Sequence, residues 1–467
     1  MKQYDDYQVV AQKWVDEIPE HWDFYRIKRI FAQRVEKNDP VITENILSLT
    51  AKQGVVPIAE KEGAGGNKPK GDMTQYNVAR PDDLLVNCMN IVSGSAGVSR
   101  YFGAISPVYY ALYPRLDCNV WYYHYLFRLM PFQRNLLGLG KGILMHESDS
   151  GKLNTVRMRI SMDYLGNVPL PVPPRAEQDQ IVRYLDWQVS IINRLIAAKR
   201  KQIGLLKEQE RSVAVHYITH SCNPQAVMKD SGIDWVEMIP QHWDVLFLQQ
   251  VAEERFVKNA GMLEDNLLSL SYGHIIRKDI NTTDGLLPAS FEGYQIVEKD
   301  DTVLRLTDLQ NDQRSLRTGL VLERGIITSA YTCIKPRKNI LPEYLQLQLH
   351  SADLCKVFYG LGGGVRQSIG YKDIRELLMF VPPLEEQQEI LDAIKRESAS
   401  SLPCYNKLEE EITVLQELRT RLISDVVTGQ IDVRDVEIPD FEYISETDDN
   451  GEETDDEKSD DMAEEEV

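Results

Sequence analysis

The chain is written twice, and no other feature constrains its fold as much. Trp14–Asp23 (WVDEIPEHWD) returns 221 residues later as Trp235–Asp244 (WVEMIPQHWD), and Asn45–Leu49 (NILSL) returns at the same offset as Asn266–Leu270 (NLLSL). Near the end of each copy Val172–Ile181 (VPPRAEQDQI) matches Val381–Ile390 (VPPLEEQQEI), and a long amphipathic stretch follows. Solenoid repeats run to ~20–50 residues. A longer period means a duplicated domain-plus-helix and predicts approximate internal two-fold symmetry. A pseudo-dimer suits a target that is itself in two parts, of which duplex DNA is the commonest.

Within each copy the texture is that of strands. In the first globular half, about Trp14 to Pro174, short apolar runs such as Leu84–Asn87 and Val108–Tyr113 are broken by Gly, Pro and Asn, with a helix expected over Tyr122–Met130. Gly103–Pro114 corresponds to Gly325–Pro336, and Gly138-Leu139-Gly140 to Gly360-Leu361-Gly362. Between these anchors the residues diverge, and the first copy carries an insert around Gly142–Val156. Matched frames with different contents predict one scaffold presenting two different surfaces.

After each Pro-Pro a long helix is expected. Ile181, Leu185, Ile192, Leu195, Ile203, Leu206 and Val213 form a heptad-like apolar seam in the first, and Ile390, Ile394, Leu408, Ile412, Leu415, Leu418 and Leu422 form one in the second. Pro403 interrupts the second. Proline inside a helix costs ~3 kcal/mol, whereas Ser400 or Ser401 could cap a fresh helix with Pro403 in its first turn, so a kink or restart is expected there. The simplest partner for one seam is the other, packed antiparallel, with residual apolar surface left to dock helices of another subunit. The expected fold is therefore α+β: mixed α/β domains at 1–174 and 221–383, joined by long helices at 175–220 and 384–436 that form an antiparallel coiled coil.

Of the 467 residues 43% are apolar, enough for each half to bury its own core. The net charge of −20 is misleading, because residues 437–467 hold 16 Asp or Glu against Lys458 and leave the body near −5. Overall sign is a poor guide to a local surface when charge is this unevenly placed. The acidic segment 437–467 is expected to be disordered, as a solubilising extension or as a competitor of phosphates for a basic surface. Six scattered cysteines without a C-x-x-C pair, and first residues without an apolar run, predict reduced thiols in a cytoplasmic protein.

Catalytic signatures are lacking. There is no G-x-x-x-x-G-K-[ST] loop, no Asn/Asp-Pro-Pro-aromatic tetrapeptide and no metal-ligand spacing among the histidines. The Gly-rich pairs read as structural turns. His21 and His242, each beside a tryptophan, read as packing features. Asp82-Asp83 and Asp300-Asp301 read as turn residues opening a strand. A non-catalytic chain without a metal site is expected.

Together the Ile-Pro-x-His-Trp opening of each half, the Pro-Pro-x-x-Glu-Gln-x-x-Ile start of each helix and the domain–helix–domain–helix order resemble the specificity subunit of type I restriction–modification systems over about Trp14 to Val436. The resemblance implies a DNA-binding protein of phage defence whose globular halves are target-recognition domains, each reading one half of a bipartite asymmetric DNA sequence. It implies that the helices set the half-site separation and dock two methylation subunits, which nuclease-translocase subunits join. Adenine methylation and DNA cleavage or translocation would belong to those partners, with S-adenosylmethionine, ATP and Mg held there and no cofactor here. Pro403 and the acidic segment depart from the pattern.

Base readout needs Arg, Lys, Asn or Gln at base edges and basic residues on phosphate. Candidates lie where the copies diverge: Lys52, Gln53, Arg100, Lys141, Arg157 and Arg159 in the first half, and Tyr272, His274, Arg277, Lys278, Arg314, Arg317, Arg366 and Gln367 in the second. Ile181, Leu185, Ile192, Leu195, Leu206, Ile390, Ile394, Leu408, Leu415 and Leu422 are the candidates for the coiled coil and partner docking. Two alternatives stand beside this reading. One is a coiled-coil adaptor that binds protein only, which gains little from two large divergent domains. The other is a self-sufficient DNA methyltransferase or a nuclease, against which the missing signatures weigh.

Overall fold

The computed structural model describes residues 2–50, 54–61, 71–140, 145–147, 153–155, 159–271, 273–280, 290–307, 309, 316–361 and 369–445. They fall into two compact units. One combines the residues up to Arg200 with those from Glu409 onward, and the other is Lys201–Leu408. The division passes through both long helices instead of at 174, 220 and 383. The reason is packing: Ile181, Leu185, Ile192 and Ile196 of the first helix and Leu422, Val426 and Val427 of the second are buried in the core of the first unit.

In the first unit Tyr7–Gln12 pairs with Val15–Pro19, and Asp23–Arg26 pairs with Pro169–Val172. The main sheet orders Phe31–Arg34, Tyr109–Pro114, Leu84–Asn87 and Ala96–Val98. Two further pairs, Leu47–Thr50 with Gly54–Pro57 and Asn77–Ala79 with Gly103–Ile105, bring the Asn45–Leu49 motif beside the first glycine frame. Every pairing between these strands is antiparallel. The helix begins at Val120, capped by Asn119, and ends at Phe127, with a separate short helix at Met130–Leu136. The core is rich in aromatics, with Trp22, Phe31, Tyr122, Tyr123, Phe127 and Phe132 almost wholly buried.

The second unit repeats this order. Met228–Ile233 pairs with Val236–Pro240, Asp244–Phe247 with Leu378–Val381, Leu268–Ser271 with His274–Arg277, and Gln295–Val297 with Gly325–Ile327. Its main sheet orders Ala252–Glu254, Thr332–Pro336, Thr302–Leu304 and Thr318–Leu320. Trp243, Tyr344, Phe358 and Phe380 fill its core.

The long helices are Arg175–His220 and Leu384–Val427. The restart expected near Pro403 is absent, and the second helix continues through it. Only the Ala399 carbonyl loses its i+4 donor. The hydroxyls of Ser400 and Ser401 do not cap a new helix but turn back onto the Glu397 carbonyl, at 2.7 and 3.4 Å. A single missing bond in a 44-residue helix is offset by its neighbours. Residues 446–467 lie outside the described residues, but the disorder expected from 437 does not hold for 437–445. Ile444 donates its N–H to Ser190 Oγ at 3.0 Å and accepts from Asn193 Nδ2 at 3.0 Å, and Ile438 packs on the core.

Candidate nucleic-acid interface

The repeated motifs meet in space, and a His–Glu bond common to both units anchors a latch in each. The first long helix starts at Arg175, and its first turn presents Glu177, which is 6% exposed. That carboxylate accepts from Tyr4 Oη at 2.5 Å, from Trp22 Nε1 at 3.0 Å and bonds His21 Nε2 at 2.8 Å. In the second unit Glu386 accepts from Ser221 Oγ at 2.5 Å and bonds His242 Nε2 at 2.7 Å. Burial pushes Glu386 up, but the bonds from Ser221 and His242 outweigh it and hold the carboxyl below its usual range. The next residue is matched too. Gln178 accepts from the Asn119 N–H at 2.8 Å and donates to the Pro173 carbonyl at 2.7 Å, while Gln387 accepts from the Leu341 N–H at 2.7 Å and donates to Pro382 at 2.8 Å. The Ile-Pro-x-His-Trp and Pro-Pro-x-x-Glu-Gln motifs are thus two halves of one joint between a globular half and its helix.

A second matched device holds the frame of each half. The Asn45 carbonyl accepts from Ala104 N at 2.7 Å while its side chain donates to the Phe102 carbonyl at 3.0 Å; Asn266 does the same with Ile326 N at 2.8 Å and the Arg324 carbonyl at 2.7 Å. The strands approach so closely that a Cβ on Gly103 would stand 2.6 Å from the Asn45 carbonyl, and one on Gly325 2.5 Å from that of Asn266. The acidic pairs are turns, as expected. Asp82 and Asp300 take positive φ, and the buried Asp83 and Asp301 cap the turn by accepting from Arg80 N at 2.9 Å and Glu298 N at 2.8 Å. Arg34 binds Asp83 through two nitrogens, at 2.7 and 2.9 Å, and Arg255 lies 3.4 Å from Asp301. The sequence reading missed these two arginines, although they share the 221-residue offset.

On this frame the candidate readers divide. Lys52, Gln53, Lys141, Arg157, Tyr272, Arg314, Arg366 and Gln367 lie outside the described residues. Arg100 is exposed with its guanidinium 5.1 Å from the Trp121 ring centre, and Arg159 is exposed beside Tyr110 and Cys88. His274, Arg277 and Lys278 stand on or beside the exposed edge strand His274–Arg277, where Arg277 pairs with Glu323. Arg317 corrects the expectation. It is fully buried, donating to the Arg305 carbonyl at 3.2 Å, the Thr307 carbonyl at 2.8 Å and Tyr359 Oη at 3.1 Å, so it holds that segment in place and is not exposed as a surface reader would be.

The seam candidates also divide. Ile181, Leu185, Ile192, Ile390, Leu408 and Leu422 are buried, and Leu206, Ile394 and Leu415 are half-buried. Leu195, expected in the seam, is 46% exposed, and Ile196 takes its place. Within the first unit Gln180, Asn193 and Lys199 contact Val433, Arg419 and Glu411 in turn, so the two helix segments run antiparallel there. Within the second, Glu210 meets Tyr405 and Ser221 meets Glu386, the same sense.

Burial pushes the Cys118 thiol up to about 11, and all six cysteines are free. Burial, with Arg128 and Arg100 nearby, pulls His124 down to about 3. Among the described residues no helix is long and apolar enough to cross a membrane, and no three metal-ligating side chains cluster.

Comparison with known proteins agrees with this geometry. Residues 325–413, which hold the second glycine frame and the helix side of the second latch, match the type I restriction modification DNA specificity domain. A putative type I restriction enzyme MjaX specificity subunit of Methanocaldococcus jannaschii is 23% identical over 286 residues, 59% of this chain and 62% of that protein. The chain thus spans less than two thirds of that relative's length. A chain from a structure of complex assembly and conformational transition in a type I R-M system superposes with a TM-score of 0.54 at 12% identity, covering 89% of this chain and 99% of its own. That likeness establishes the fold. The HsdS subunit of Thermoanaerobacter tengcongensis, at a TM-score of 0.40 and 14% identity over 89% of this chain and 98% of its own, adds nothing to it.

Proposed function

We propose that this chain, which carries a type I restriction modification DNA specificity domain, is the non-catalytic subunit that reads a bipartite, asymmetric DNA sequence for a methylating and restricting complex. One observation carries the reading: two units share strand order and turns and a His–Glu joint to their helices, yet differ in sequence between the shared anchors. A frame kept twice with its contents changed is what two independent half-site readers require. Each unit reads one half-site with side chains from its divergent segments, Arg100 and Arg159 in the first and His274 and Arg277 in the second among them. The antiparallel order of helix contacts within each unit supports an antiparallel coiled coil with pseudo-two-fold symmetry as the spacer. Leu195 and the other exposed apolar positions of the helices are the docking surface for two methylation subunits, with nuclease-translocase subunits joining that core in the cytoplasm. S-adenosylmethionine, ATP and Mg belong to those partners.

The test is a domain exchange. Replacing residues from Trp14 to Pro174 with the equivalent domain of a relative, in the assembled complex, changes one half of the methylated target and leaves the other, as read by sequencing methylated genomic DNA. A change in both halves overturns modular reading. Methylation of no defined sequence turns the chain into a protein-only adaptor, and methyl transfer by the pure chain makes it an enzyme.

A further inference from the structure

The stretch from Ile431 to Ser445 follows the first long helix as a strap. Gln180 Nε2 donates to the Val433 and Val436 carbonyls at 3.0 and 2.7 Å, and Ile438 packs on the core. Arg194 stands 3.8 Å from Glu442, and Ile444 is held from both sides, its N–H by Ser190 and its carbonyl by the fully buried Asn193. These contacts hold the strap against the helix as far as Ile444. Exposed arginines stand beside the strap, among carboxylates that include Glu442 and Asp186. Arg183 and Arg194 are exposed and, at 3.6 residues per turn, share the helix face that carries Gln180 and Ser190. Tyr443 lies within electrostatic reach of Tyr125, which donates to Asp186 at 2.6 Å, and Arg100 and Arg128 act on the same cluster. Arg100 is one of the side chains assigned above to DNA.

What the strap delivers there is a polyanion: residues 446–467 contain thirteen Asp or Glu and one Lys. We propose that this acidic segment is an intramolecular competitor of DNA, docking on the arginine surface of the first unit and lowering its affinity for duplex. The inference rests on the DNA-reading function proposed above. Chemistry and reach both favour the assignment. Twenty-two residues span at most about 75 Å, against a radius of gyration of about 17 Å for a domain of this size, so every basic side chain of the unit is accessible to them. A tethered segment acts at about millimolar local concentration. Non-specific duplex binding has a Kd of about 10⁻⁴–10⁻⁶ M. A polyanion that binds as weakly as random DNA, with a Kd near 10⁻⁴ M, then weakens all DNA binding about tenfold. Because random and cognate duplex must displace the same segment, both lose the same factor. Selectivity is gained in occupancy: random duplex falls below its working concentration while the tighter cognate site stays filled.

The test compares three full-length forms in the assembled complex. One is unchanged. One has every Asp and Glu of 446–467 replaced by Asn or Gln. The third is Ile444→Pro, which keeps the charges but removes the N–H that anchors the strap to Ser190. Fluorescence anisotropy with a labelled random duplex at low salt should find the neutralised form about tenfold tighter than the unchanged one, with Ile444→Pro between them. The gap should close near 1 M salt, where the Debye length falls to ~3 Å. A labelled synthetic peptide of residues 446–467 should bind a chain ended at Ser445, and charge reversal at Arg194→Glu should weaken it. Equal duplex affinity in all three forms overturns the inference while leaving DNA reading intact. Absence of duplex binding in every form overturns the function on which it rests.

Discussion

Glu177 is a buried carboxylate facing the donors of Tyr4, His21 and Trp22, and its worth lies in being acceptor-only. Glu177→Gln keeps the shape but turns an N–H₂ toward donors, so the latch should lose about 2–3 kcal/mol. The urea midpoint should fall with an unchanged slope, and an unmoved midpoint would show that the latch is not a fastening. His124 gives the molecule an acid-sensitive point in the same unit. Its Nδ1 is buried without a partner, and burial pulls it from 6.5 to about 3. The unfolded chain therefore binds a proton between those values that the folded chain refuses. Its contribution is present above pH 6.5 and is lost as pH falls, by at most about 1.4 kcal/mol per unit. His124→Asn should flatten the fall in urea midpoint between pH 6.5 and 4, and parallel curves would exclude the role. The sequence disclosed His21 and His242 as structural because both copies repeat them. It could not disclose their partners, since 156 residues separate His21 from Glu177 and only the fold joins them. Arg317 misled for the opposite reason: an arginine in a divergent loop reads as a surface charge until two carbonyls and a phenol are found to satisfy it.

Strand texture, turns and both long helices after Pro-Pro were legible because short apolar runs, Asp-Asp turns and amphipathic periodicity are local signals. The helix details were not, because they depend on what the face meets. Ile181, Leu185, Val189, Ile192 and Ile196 form a buried stripe, in steps of four, four, three and four, with Val182 and Tyr184 buried beside it. That period is longer than 3.5, so a strict heptad drifts off the seam, which is how Leu195 came to be expected where Ile196 sits. Pro403 failed as a stop signal for a related reason: a helix held on both sides of a proline by packing tolerates one missing bond. Pro403→Ala restores the donor to the Ala399 carbonyl and should stabilise the chain by about 1–3 kcal/mol. The thermal transition of the unit containing Lys201–Leu408 should rise by several degrees. A fall would mean that the proline shapes the helix for a neighbour.

At the scale of the whole molecule, duplication was the most legible property and loop conformation the least. Eight of the fourteen proposed base or phosphate contacts lie outside the described residues, so the matched frame, and no single arginine, carries the functional reading. The proposed pair of half-site readers on one shared frame has a consequence for geometry. Two half-sites on duplex DNA must be read at a fixed separation, near ~34 Å for one helical turn, and what fixes it must be stiff. The long helices are the stiff elements, and each contributes residues to both units. Inserting seven residues after Gln202 adds about 10 Å to the first helix while preserving its heptad face. The assembled complex should then methylate the same two half-sequences separated by a spacer about three base pairs longer, at ~3.4 Å per pair. A matching insertion in the second helix should make the new spacing tighter, since an antiparallel pair lengthened on one strand alone must bow. Sequencing of methylated DNA from cells carrying each form reads both effects at once. An unchanged spacer with intact half-sites would remove the helices from the role of ruler and place spacing in the partner subunits. Altered half-sites would mean instead that the readers and the ruler are not separable, contrary to the two latches that fasten each reader to its own helix.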